Sequence, residues 1–215
     1  MALIEEQLWA EIVQPYLATG AAKLQKKEQQ DLATALQAWA MRCISSRLEP
    51  LANGPLKEEW QIKHKGKDFL GAVRWQEVDV WLSNPEVGLA LAVDPKHFQS
   101  EESLKKNWKN GHNDLVAFAT NIHERFPLCA VGGVIAFPAG AATESTRRQM
   151  VNICSRSIPR EKPQNVYGKF EGFALAIYDE HGNLIWPLDA SSPLKPSFAF
   201  QSLANTVFSR TLGML

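Results

Sequence analysis

Apolar residues step by three and four through the first quarter of the chain. Leu32, Leu36, Trp39 and Cys43 form one stripe, while Gln30, Gln37 and Arg42 fall elsewhere. That spacing predicts an amphipathic helix. Pro50 is expected to close it, because proline disfavours helical geometry in the residue before it. Leu3, Leu8 and Ile12 predict a shorter helix ahead of it, ending near Pro15. Beyond Asn53-Gly54-Pro55, a turn cluster, the period changes to two.

Trp60 to Lys63 opens a strand. Ala72 to Leu82 reads as a second, with Val73, Trp75, Glu77, Asp79 and Trp81 on one face and Val78, Val80 and Leu82 on the other. Val87 to Val93 is nearly all apolar, as suits a strand covered on both faces. A long helix from Ser100 to Arg125, a buried strand from Leu128 to Phe137 and a helix from Glu144 to Ile158 follow. Phe170–Tyr178 and Asn183–Leu188 predict a hairpin, and Phe200–Leu212 a last helix. This order predicts an α/β single domain with a central mixed β-sheet flanked by helices. Residues 1–50 would be its N-terminal helices, 58–137 its core, and 144–215 a helix, basic loop, hairpin and terminal helix. Gly132-Gly133, inside an apolar run, is expected to allow close strand packing rather than to cradle a phosphate.

Composition narrows the function classes. At 215 residues the chain has the length of one domain, and 45% hydrophobic content excludes a disordered protein. Lys plus Arg and Asp plus Glu both number 23, so any nucleic-acid binding must rest on local clusters of charge. The cysteines, Cys43, Cys129 and Cys154, are odd in number and widely spaced, which argues against a disulfide framework or a zinc knuckle. Apolar runs stay short of the roughly 20 residues that span a bilayer. The start lacks a signal-peptide pattern. A cytoplasmic protein with no membrane partner is expected.

The sharpest chemistry lies in Glu77-Val78-Asp79 and Asp94-Pro95-Lys96. Strand alternation puts Asp94 and Lys96 on one face. If strands 72–82 and 86–94 pair, Asp79 approaches Asp94. Two converging carboxylates make a hard-oxygen site of the kind Mg²⁺ takes. Lys96 beside it could orient a water or neutralise a phosphate. The plain alternative is a strand end emerging into solvent.

Acid, about 15 residues, then acid, any residue, lysine, on a hairpin between helices, resembles the PD-(D/E)XK nuclease superfamily, which includes many type II restriction endonucleases. Val78 replaces the motif's proline, and Pro95 occupies a usually apolar position. The resemblance implies a restriction-endonuclease-like fold with Asp79, Asp94 and Lys96 catalytic and Asp79, Asp94 and the Pro95 carbonyl on Mg²⁺. Glu77 could add a ligand or simply pair with a base. Glu49 could supply a third carboxylate or be solvated. His97, next to Lys96, could steer the site.

DNA contacts are expected on two segments. Lys105, Lys106 and Lys109 form a basic helix face beside Trp108, which otherwise belongs to the core. Residues 145–170 hold six basic side chains, Arg147, Arg148, Arg156, Arg160, Lys162 and Lys169, against Glu161. Arginine suits bidentate contact with guanine or phosphate, although an exposed basic loop could equally dock a protein. His112-Asn113 lacks the context of a metal finger, so His112 is read as a hydrogen-bonding residue. The seven tryptophans are read as core and dimer packing.

The function expected is therefore a Mg²⁺-dependent endonuclease cutting double-stranded DNA at a specific site as a homodimer. The alternatives are a structure-specific repair nuclease of the same superfamily and a non-catalytic nuclease-like DNA-binding or interaction module.

Overall fold

A computed structural model describes residues 3–17, 25–54, 56, 60–162, 166–186 and 191–212. Helix α1 (Ile4–Ile12) and the short α2 (Gln14–Leu17) precede α3 (Lys26–Leu51), which runs one residue past Pro50. Strands β1 (Gln61–Lys63), β2 (Lys67–Leu70), β3 (Trp75–Val78), β4 (Val80–Asn84) and β5 (Gly88–His97) come next. They are followed by α4 (Glu101–Arg125), β6 (Ala130–Pro138), α5 (Glu144–Arg156), β7 (Gly172–Tyr178), β8 (Leu184–Ile185) and α6 (Pro196–Arg210). The expected turn proline Pro55 and the hairpin end at Leu188 lie outside the described residues.

The main sheet has the order β1-β4-β5-β6-β7-β8. Strands β1, β4 and β5 form an antiparallel meander, β5, β6 and β7 are parallel, and β8 returns antiparallel to β7. The result is an α/β fold, a mixed sheet with helices on both faces. Trp39 of α3 and Phe200 of α6 pack edge to face over one side of the sheet. Trp108 and Phe118 of α4 and Met150 of α5 cover the other. The crossover helices start with side-chain caps: Ser100 Oγ accepts from the Ser103 amide, and Thr143 Oγ1 from the Thr146 amide.

The expected strand from Ala72 to Leu82 is two strands. Val78 and Trp81 are buried on the α4 face, whereas Val80 and Leu82 are buried on the α3 face. Unbroken alternation would put Val78 and Val80 on one side. Asp79, a bend, absorbs the odd residue. It frees β3 to leave the main sheet and pair with β2, a strand the periodicity had not predicted, as a two-stranded ribbon. Phe69 of that ribbon packs against Trp81 and Phe126.

Glycines set how closely α6 approaches. Gly132 and Gly172 are neighbours across β6 and β7. A Cβ on Gly172 would lie 2.4 Å from the Ala199 carbonyl oxygen, and one on Gly132 would lie 2.7 Å from Leu203 Cδ1. The expected close packing at Gly132 is thus packing of a helix on the sheet.

Arg160 is corrected from a DNA contact to a core residue. It is 2% exposed and donates to Glu171 Oε1 at 3.0 Å, to the Val166 carbonyl and to the Pro127 carbonyl. Arg210 of α6 donates to the same Glu171 oxygen at 2.7 Å. Glu171 Oε2 accepts from the Val131 amide at 2.8 Å and meets His123 Nε2 of α4 at 3.2 Å. Burial pushes the Glu171 carboxyl up. His123, the Val131 amide and Arg210 outweigh it and hold the group below the usual carboxylate range.

Two outcomes follow for stability. Gly172→Ala loses about 1–3 kcal/mol in denaturant unfolding, because the backbone carbonyl it meets cannot yield cheaply. Glu171, with its depressed folded pKa, contributes stability that is present above its ordinary carboxylate range and lost as pH falls through the folded value. Glu171→Gln should cost about 3–5 kcal/mol at neutral pH by leaving buried cations unpaired, and should flatten stability curves below about pH 4.5.

Candidate active site

The meander ends where the chemistry begins. Pairing between β4 and β5 stops at Val80↔Val93, so Asp79 and Asp94 are the next residues across the ladder. Pairing of β5 with β6 continues to His97. Pro95, which lacks an amide donor, therefore stands where β5 has β6 on one side and no β4 partner on the other.

Lys96 Nζ lies 2.8 Å from Asp94 Oδ2. Asp94 is 8% exposed, and its Oδ1 is buried without a hydrogen-bond donor. Burial raises the Asp94 carboxyl above its usual range, against the charge and hydrogen bond of Lys96. Burial first, and the charge of Asp94 second, push the Asp79 carboxyl up to about 6. Lys96 and a hydrogen bond from Gln37 pull it back. The Asp79 and Asp94 carboxyls meet closely enough to share a proton, and that contact is a hydrogen bond only when one of them is protonated.

The three motif side chains thus converge, but not by the alternation expected of a single strand. Asp79 reaches Asp94 from a bend. Glu77 is exposed on the ribbon, opposite Asp68, with its carboxylate against Gly66. It adds to the rise of Asp79 through its charge alone. Among the described residues no three His, Cys, Asp or Glu side chains gather as a metal-ligand group. Glu49 is exposed near the end of α3. The residue α3 does send is Gln37, half-buried and beside the apolar stripe. Its position off that stripe was the available signal. Asp114 of α4 adds negative charge near Asp94.

His97 occupies the opposite face of β5. Its Nε2 meets the Tyr178 hydroxyl at 2.9 Å, its ring stacks on that of Tyr178, and burial pushes its pKa down to about 4. It cannot steer the carboxylates from there. His112 is a hydrogen-bonding residue as expected, with Nε2 3.0 Å from Ser157 Oγ.

Helices α4 and α5 both follow the carboxyl ends of parallel strands, and the carboxyl end of β5 is the one that carries Asp94 and Lys96. Lys105, Lys106 and Lys109 are exposed in the first half of α4, with Lys106 paired to Glu102 at 2.7 Å and Trp108 buried. Arg147 is half-buried and Arg148 exposed in the first half of α5, where Arg148 pairs with Glu144. Arg156 closes the same helix, roughly 12 Å beyond Arg148 at 1.5 Å per residue, at the end away from the strand termini.

A pH dependence follows. With Asp79 titrating near 6, the metal-free protein gains stability as pH falls through that value and loses it above, where the half-buried Asp79 carboxyl is charged. Asp94→Asn should raise the melting temperature at pH 8 and move the inflection below pH 6 without abolishing it, since burial still raises Asp79, both read by thermal melts in EDTA.

Searches against protein-family models, curated proteins and solved structures found no match for this chain.

Proposed function

We propose that this chain is a Mg²⁺-dependent endonuclease that hydrolyses phosphodiester bonds of double-stranded DNA, in the manner of a type II restriction enzyme. The supporting observation is the meeting of Asp79, Asp94 and Lys96 at the open end of the meander, with Asp94 Oδ1 buried and lacking a donor. The order α3, meander, α4, β6 is the order that the resemblance to PD-(D/E)XK nucleases implies.

The donor set suits a hard cation: two carboxylates whose mutual repulsion a divalent ion relieves, with the Pro95 carbonyl as a third oxygen. When bound, such an ion polarises the phosphate and activates water. Asp79 and Asp94 would hold it. Gln37 fixes the Asp79 carboxyl. Lys96, kept in place by Asp94 Oδ2, places positive charge where the phosphate loses its screening water. Lys105, Lys109 and Arg147 lie at the same end of the sheet and supply phosphate contacts. Cutting both strands of a two-fold symmetric site calls for two copies of the chain.

The test is supercoiled plasmid incubated with Mg²⁺ or EDTA. Discrete fragments in Mg²⁺ are expected, and a smear would assign a non-specific nuclease. Asp94→Ala should abolish cutting while DNA binding in Ca²⁺ survives. That no third ligating side chain joins the pair among the described residues is the observation behind a second reading, a non-catalytic DNA-binding module. DNA binding without cleavage in any divalent ion would assign that module.

A further inference from the structure

The β2–β3 ribbon holds an apolar tip in solvent. Leu70 and Trp75 are cross-strand neighbours, 48% and 65% exposed, and Val73 in the turn between them is 84% exposed. Isolated exposed apolar residues are ordinary, but three on one tip mark a contact surface.

This tip is also fastened. Asn121 of α4, 5% exposed, accepts from the Val73 amide at 2.9 Å and donates to the Arg74 carbonyl at 3.1 Å. Its own carbonyl accepts from the Ala72 amide, and the Gly71 amide donates to the Arg74 carbonyl. A Cβ on Gly71 would lie 2.3 Å from the Asn121 side chain, so the turn is fitted to that one residue. A clasp of this kind gives the tip one orientation, which lowers the ordering cost of binding.

The charge around it is positive. The ribbon and its lead-in carry Lys63, Lys65, Lys67 and Arg74 against Asp68 and Glu77, which face each other across the two strands. Lys67 Nζ sits 4.6 Å over the Trp81 ring and Lys63 Nζ 5.7 Å over it, so two of these charges are placed by a buried aromatic. Arg74 is exposed between Val73 and Trp75. At about 3.3 Å per strand residue, Trp75 is about 13 Å from Asp79 along β3, within the width of one duplex.

We propose that the clasped ribbon is a DNA-contacting arm, in which Trp75 and Val73 press on the sugars and base edges of duplex DNA while Arg74 pairs with a phosphate. This rests on the nuclease reading, and deepens it by giving the substrate a second footing outside the carboxylate site. An aromatic and an arginine at the centre of a fixed apolar patch are the residue types that dominate binding energy.

Duplex binding measured by fluorescence anisotropy in Ca²⁺ over a range of salt tests it, with light scattering and thermal melts alongside. The double variant Trp75→Ala, Val73→Ser should bind about tenfold more weakly with an unchanged salt slope and an unchanged melting temperature. Arg74→Gln should lower the slope by about 0.9, one phosphate contact. Wild-type affinity in both variants overturns the arm while leaving wild-type cleavage, and so the nuclease reading, intact. A fall in affinity that merely tracks loss of a dimer also overturns it and makes the tip a contact between copies. No binding of any duplex by the wild-type chain overturns both readings.

Discussion

Asp94 carries a charge into a place that resists charge. The residues before it on β5, from Leu89 to Val93, are all buried and apolar, and the carboxylate follows them without a turn. An unpaired ion there is costly by several kcal/mol. Parity supplies the remedy, because Lys96 two residues on shares its face and reaches Oδ2. That pairing leaves Oδ1 unserved, and Asp79 arrives with a second negative charge. The metal we propose rests on this excess of negative charge over local cation. On the proposed reading, the stability lost to it is the cost of a site built for chemistry.

Much of the fold was legible because burial on two faces leaves a strong mark. The apolar runs that became β5, β6 and β7, and the stepped stripes of α3 and α4, needed no tertiary information. The failure at residues 72–82 has a definite cause. Alternation was read through Asp79 as if the backbone were continuous, yet a bend resets parity without leaving any trace in composition. The pairing expected to bring Asp79 to Asp94 holds, whereas the alternation read from Trp75 to Asp79 as one strand does not. The ribbon strand β2 was missed because only Phe69 is partly covered. Three exposed residues and one half-buried one carry too little period to be read.

Charge counting was the weaker guide. Six basic residues between 145 and 170 suggested one surface, but a helix of this length separates its ends, and a loop can turn a cation inward. Arg160 went to Glu171, and Arg156 to the far end of α5. Nothing in the spacing of Arg160 marked it, since its partner lies 11 residues away and the helix carrying Arg210 lies further on.

The Glu171 network also bears on the order in which the chain assembles. Its bonds to His123 and Arg210 close loops of 48 and 39 residues, whereas β4 and β5 are joined by a turn of three residues. Loop closure makes such distant contacts slow relative to local ones. The meander bearing the carboxylates can therefore pair early, on its own strands. The carboxylate at 171 meets Arg160 across only 11 residues but gains its second arginine, Arg210, when the last helix docks, so α6 completes the network that ties the parallel half of the sheet together.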